Sequence, residues 1–163
     1  MKILALDPGT LVSAYVLWDS RRAAITDKAI APNDAVLTRV AQCDYELLAV
    51  EMLRSQGMAV GRETFETLVW IGRFLQATQQ PWQLVHRDSI KLHHCGSMRA
   101  KDANIRQSLI DKYGAPGRKK QPGRTYGLKS HLWQAFAVAA LIGEGGEMRL
   151  GRCQLNEAIA RPA

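Results

Sequence analysis

An apolar run that stops on a carboxylate constrains this chain more than any other feature. Ile-Leu-Ala-Leu (3–6) ends on Asp7, and Pro8 and Gly9 turn the chain at once. The next run, Leu11 to Trp18, is again apolar and β-prone. This reads as a buried strand, a tight turn and a second strand. A carboxylate at the lip of a buried strand is held rigidly, which suits a metal ligand or a catalytic base. It also suits a plain turn, because Asp-Pro-Gly is good turn chemistry.

A second acid arrives in the same way. The pattern predicts strands over 3–7, 12–18 and 21–31, joined by short turns into an antiparallel meander. Pro32-Asn33-Asp34 then opens a helix, with Asn33 or Asp34 as its cap and Val36, Leu37 and Val40 as its apolar stripe. Tyr45 to Val50 is another buried strand, ending on Glu51. A helix-length connection lets the first and fourth strands run parallel, side by side. Asp7 and Glu51 then lie close together. Two such carboxylates repel unless a cation sits between them or one is protonated. Hard divalent cations with oxygen ligands fit the pair.

The rest of the chain supplies framework and positive charge. Residues 52–61 form a loop made mobile by Gly57 and Gly61. Residues 62–78 read as a helix with Phe65, Leu68, Val69, Gly72 and Leu75 on one broad face, widened by Thr64, Trp70, Ile71 and Phe74. A helix apolar most of the way round needs two partners: the sheet, and a second subunit that Gly72 lets approach. A fifth strand over 81–86 follows, then a short helix capped by Asp88 and running to Leu92. Asp102 is expected to cap a helix over 103–113 that Gly114 ends. Lys129 or Ser130 opens the last helix, which packs through Leu132, Ala135, Phe136, Ala139 and Leu141. Residues 1–146 make one domain, and 147–163 a weakly structured tail.

Net charge is +7, which favours polyanionic partners. Its distribution says more than its total. Between Lys112 and Lys129 stand Arg118, Lys119, Lys120 and Arg124, with no acid among them. Gly and Pro punctuate this run, so it reads as a flexible cationic loop for phosphates. Arg99 and Lys101 lie just before a helix start, another place that suits phosphate. The cysteines Cys43, Cys95 and Cys153 are widely spaced and give neither a disulfide framework nor a zinc motif. His93-His94-Cys95 lacks the second cluster that would complete a zinc site. No apolar stretch is long enough to span a bilayer and no secretory signal pattern is present, so a cytoplasmic location is expected.

The element order resembles the ribonuclease H-like superfamily. Within it, five segments resemble the RuvC family of Holliday junction resolvases, particularly its shorter phage-type members. They are Leu-Ala-Leu-Asp-Pro-Gly-Thr (4–10), Leu-Ala-Val-Glu (48–51), Val-His-Arg-Asp-Ser-Ile-Lys (85–91), Arg-Ala-Lys-Asp-Ala-Asn-Ile-Arg (99–106) and His-Leu-Trp-Gln-Ala-Phe-Ala-Val-Ala (131–139). The resemblance implies an α/β fold with a five-stranded mixed sheet, order 3-2-1-4-5, flanked by helices. It implies a homodimer, here placed on helix 62–78, that cuts four-way DNA junctions by metal-dependent phosphodiester hydrolysis. Asp7, Glu51 and His131 would be catalytic. The same three and Gln134 would hold Mg²⁺ or Mn²⁺, two ions per subunit. Arg54, Arg99, Lys101, Arg106, Lys119, Lys120 and Arg124 would contact DNA.

One position departs from the family. Its last two ligands lie three apart on the final helix, where this chain has His131 and Gln134 in place of a second acid. Three readings stay open. His131 suffices, as ligand or as general acid. Asp102 or Asp88 supplies the missing acid. Or the protein binds junctions without cutting them. An RNA-processing nuclease of the same fold is a further alternative. An actin-like ATPase or sugar kinase, suggested by Asp-Pro-Gly-Thr, needs two lobes and a second phosphate motif that are missing here.

Overall fold

The computed structural model describes residues 1–54, 57 and 59–146. The expected tail at 147–163 lies outside them, as do Gln56 and Met58 of the loop after Glu51. The chain runs β1 (Lys2–Asp7), β2 (Val12–Asp19), β3 (Ala24–Pro32), α1 (Asn33–Ala41), β4 (Leu47–Met52), α2 (Arg62–Ala77), β5 (Trp82–His86), α3 (Arg87–Cys95), α4 (Asp102–Tyr113), β6 (Gly117–Arg118), β7 (Gln121–Pro122) and α5 (Leu132–Gly143). One five-stranded sheet has the order β3-β2-β1-β4-β5. β1, β2 and β3 are antiparallel neighbours, whereas β4 runs parallel to both β1 and β5. This is the mixed sheet expected from the sequence.

The pleat divides the core into two layers. Side chains alternate across a strand, so Ile3, Ala5, Ala14, Val16, Trp18, Leu47 and Ala49 face one side with α5, α4 and Ile90 of α3. Leu4, Leu6, Leu17, Leu48 and Val50 face the other, with Val36 and Val40 of α1 and Ile71 and Phe74 of α2. α5 is buried along almost its whole length and packs across β1, β2 and β4. Ala5, Ala14 and Ala49 present only methyl groups to it, and α5 answers with Ala135, Ala137, Ala139 and Ala140. Small residues on both sides let helix and sheet approach closely. A larger side chain here would overpack the layer, at a cost of roughly 1–3 kcal/mol.

Several local expectations change. The third strand begins at Ala24, not Arg21, because residues 20–23 form the turn. The Asp19 carboxylate accepts from the amides of Arg21 and Arg22 and closes it. α3 continues to Cys95, ending on Gly96 in the left-handed conformation. Neither Asn33, Asp88 nor Asp102 caps its helix through its side chain; Pro32, His86 and Lys101 stand at those N-cap positions. All three side chains have other partners, described below. The cationic run is more ordered than expected: β6 and β7 pair as a small hairpin with Lys119 and Lys120 at its tip. Thr125 is buried and donates to the Gly114 carbonyl, anchoring its base.

The face α2 buries also differs from the expected one. Thr67, Ile71 and Phe74 point into the core. Phe65 and Val69 are 59% and 64% exposed. Gly72 is exposed beside them. The apolar surface of α2 is therefore split between the sheet and the outside.

Candidate functional site

Asp7 and Glu51 are placed by the pleat. Leu6 pairs with Val50 in the parallel β1–β4 register, so the next residues, Asp7 and Glu51, stand at one level of the sheet. Both continue the row that faces α5: Ile3 and Ala5 precede Asp7, and Leu47 and Ala49 precede Glu51. Their side chains are only 16% and 11% exposed. Burial pushes the Glu51 carboxyl up to about 7, with Asp7 acting in the same direction and Arg87 opposing. Burial also raises Asp7, against the opposing hydrogen bond from His131. Burial thus outweighs the neighbouring positive groups at both acids, so each holds its proton more tightly than it would in water.

The turn after Asp7 is held by a buried network. The Gly9 amide donates to Ser13 Oγ (3.1 Å), and the Ser13 hydroxyl donates to Asn33 Oδ1 (2.6 Å). Asn33 Nδ2 donates to the carbonyls of Gly9 (2.9 Å) and Thr10 (3.1 Å). Asn33 opens α1 but is spent on this turn, which fixes the lip carrying Asp7. A Cβ on residue 9 would collide with the Val12 carbonyl oxygen, so the turn requires glycine.

α5 brings two more groups. Ser130 is left-handed (φ 44°) and swings the chain into the helix. His131 Nδ1 then lies 2.9 Å from Asp7 Oδ2. When the Asp7 carboxylate is ionised it can only accept, so the shared proton then lies on Nδ1. Three residues on, Gln134 uses both ends of its amide: Oε1 accepts from Arg87 Nη1 (3.3 Å) and Nε2 donates to Asp102 Oδ2 (2.9 Å).

Arg87 is the residue that the sequence reading missed. It opens α3 two positions after Val85, whose side chain joins the α5-facing core. Its Nη1 lies 3.3 and 3.5 Å from the two Glu51 oxygens, and its Nη2 donates to Asp102 Oδ1. The strand alternation could have revealed it, since residue 87 continues the row of Val85 beside Glu51. Asp102, expected as a cap, belongs to the site as well.

The expected DNA-contacting residues are distributed unevenly. Arg106 lines a cleft of about 400 Å³ with Asp102, Ser130, His131 and Gln134, and its guanidinium lies 5.1 Å from the centre of the Trp133 ring. Lys101, at the α4 N-cap, adjoins the same cleft in sequence. Arg54 is held 3.5 Å from Asp88, beside Glu51 and Arg87. Arg99, Lys119, Lys120 and Arg124 are exposed, and no described contact ties them to the acids.

No family model and no curated protein matches the chain. Solved structures do. The structure of Thermus thermophilus RuvC superposes with a TM-score of 0.65 at 16% identity, covering 89% of this chain and 97% of that one. The fold is that of RuvC. T. thermophilus RuvC in complex with a Holliday junction substrate matches at TM-score 0.63 and 17% identity, over 85% of this chain and 90% of RuvC. The fowlpox virus Holliday junction resolvase is more distant, at TM-score 0.46 and 11% identity.

As a metal site the arrangement divides in two. Asp7 and Glu51 offer hard oxygen donors, close together and largely buried, which suits one divalent cation. Mg²⁺ commonly binds through one or two carboxylates and completes its shell with water and substrate phosphate. The neighbouring space, between Glu51, Gln134 and Asp102, is spanned by Arg87. Among the described residues, no three His, Cys, Asp or Glu side chains converge as a metal-wrapping cluster.

Proposed function

We propose that this protein is a structure-selective endonuclease that resolves four-way DNA junctions by divalent-metal-dependent hydrolysis of the phosphodiester backbone. The observation that carries the reading is the pair of buried carboxylates, Asp7 and Glu51, at one level of two parallel strands on a RuvC fold. That one RuvC structure holds a Holliday junction supports the choice of substrate.

In this reading Asp7 and Glu51 hold Mg²⁺ or Mn²⁺, which when bound lowers the pKa of the attacking water. Asp7 orients the His131 ring through Nδ1, so Nε2 is the atom that, once protonated from bulk water, would donate a proton to the leaving 3′ oxygen. Arg106 and Lys101 hold the phosphates flanking the scissile bond. The tip of the β6–β7 hairpin, Lys119 and Lys120, grips the backbone farther out with Arg99 and Arg124. Arg54 reaches the junction from the loop after β4. A junction has two symmetric cleavage points. A homodimer through the exposed face of α2, Phe65 and Val69 with Gly72 between the chains, would engage both. No described helix is long and apolar enough to cross a membrane.

The test is a labelled four-way junction beside a linear duplex and a structured RNA, each with Mg²⁺, Mn²⁺ or EDTA. Paired, metal-dependent nicks confined to the junction are expected. Tight junction binding without nicks in either metal would overturn the catalytic reading in favour of a non-cleaving binding protein. Preferential cutting of the RNA would move the substrate.

A further inference from the structure

We propose that Arg87 takes the place of a second divalent cation, so that the site holds one metal ion, and that Gln134 and Asp102 position its guanidinium. The inference rests on the nuclease reading and goes beyond the expected ligand set, which counted two ions and Gln134 as a ligand.

Geometry is the first support. The guanidinium meets the oxygens that would otherwise face a second ion: Glu51 Oε1 at 3.3 Å, Gln134 Oε1 at 3.3 Å, and Asp102 Oδ1. A planar fork with fixed donors matches several oxygens at once, which a lysine ammonium on its flexible stem does not. Arg87 is also held in place before DNA arrives, with its side chain 27% exposed.

The identity of residue 134 is the second support. Oε1 of Gln134 faces an Arg87 donor and Nε2 faces an Asp102 acceptor. Turning the amide over would oppose donor to donor and oxygen to oxygen, so the network sets its orientation. An aspartate at 134 could accept from Arg87 but could not donate to Asp102. Gln134 is therefore matched to an arginine and a carboxylate together, a task distinct from wrapping an ion.

Charge is the third. With both strand acids ionised, as metal binding requires, Asp7, Glu51 and Asp102 bring three negative charges to the site. Set against Arg87 they leave two, which one divalent cation neutralises. A second divalent ion would sit against a fixed guanidinium, and among the described residues no fourth carboxylate joins this network. Asp88 is not that acid: it pairs with Arg54 at 3.5 Å.

The test counts ions rather than products. Mn²⁺ is titrated calorimetrically into the full chain, with Asp7→Asn as the blank, and the junction-nicking rate is followed against Mn²⁺ concentration. One ion per chain and a first-power dependence on Mn²⁺ are expected for the wild-type protein. Arg87→Met should keep one ion and nick roughly 100-fold more slowly, and Arg87→Lys should recover about tenfold of that loss. The paired change Arg87→Met with Gln134→Asp should bind two ions, its folding checked by thermal melt. Two ions or a second-power dependence in the wild-type protein would overturn the proposal and leave the nuclease reading standing. So would Arg87→Met nicking at the wild-type rate. One bound ion with every junction left uncut would instead sink the nuclease reading. The wild-type count needs no variant to fold.

Discussion

The two halves of the site are built by different means. Asp7 and Glu51 stand on neighbouring strands of the central sheet, almost buried, at positions set by backbone register. Arg87, Asp102 and Gln134 come from the first turns of three helices and are placed by hydrogen bonds to one another. In the strand half, removing a side chain leaves the frame standing. In the helix half, each side chain is the frame for the next. On the proposed function, substitutions in the first half should spare the fold and remove activity, while the second half should respond as a unit.

The sharpest test of that contrast is Asp7→Asn. It keeps the shape and removes charge, so junction nicking should fall by roughly 10³-fold or more. Junction affinity in a gel shift should stay within about twofold. Asp102→Asn in the helix half keeps an oxygen for Arg87, and its nicking rate should drop only about tenfold. A loss equal to that of Asp7→Asn would erase the distinction and make Asp102 a ligand in its own right. Gln134→Asp alone should also lose activity, because it opposes two carboxylates and removes the donor to Asp102. A gain in Mg²⁺-dependent nicking would show that residue 134 meets the metal directly.

Stability offers smaller effects that separate frame from chemistry. Asn33→Ala removes the three bonds that hold the Asp7 turn and should lower unfolding free energy by about 2–3 kcal/mol in urea melts. Glu51→Gln should act in the opposite sense, and with a pH signature. The Glu51 carboxyl titrates near 7 in the fold against an ordinary 4.5, so the folded state holds the proton more tightly. Its contribution is fully present below about 4.5 and is lost as pH rises through about 7. Melts of the metal-free protein should show that decline, and Glu51→Gln should flatten it and melt higher at pH 8. A variant that melts lower at pH 8 would mean that Arg87 matters more to Glu51 than burial does.

The sequence made the strand half legible and the helix half obscure, for a physical reason. Strand positions follow from a period of two and from apolar runs that stop on an acid, so Asp7, Glu51, the meander and the pairing of the first and fourth strands could be read directly, while the full sheet order came from the resemblance. The helix half depends on which way a polar side chain turns at a helix start. Asp102 and Asn33 are good capping residues by type, and that local preference hid their long-range partners. Arg87 carried a readable signal, two residues past Val85 on the row of Glu51, but a charged residue after a strand is too common to single out. The hairpin in the cationic run was missed because two-residue strands leave no periodicity. The direction of α2 was misread because Phe65 and Val69 outweigh Thr67 in hydropathy, although Thr67 is the one buried.

The methyl groups under α5 carry one last consequence. Ala5, Ala14 and Ala49 set how close that helix lies to the sheet, and His131 and Gln134 ride at its start. The width of the cleft is thus gauged by residues buried in the core. A graded series at Ala49, from glycine through serine to valine, would act as a set of shims that widen or narrow the gap between the strand acids and the helix groups. Cutting rate along that series would measure how finely the spacing is tuned.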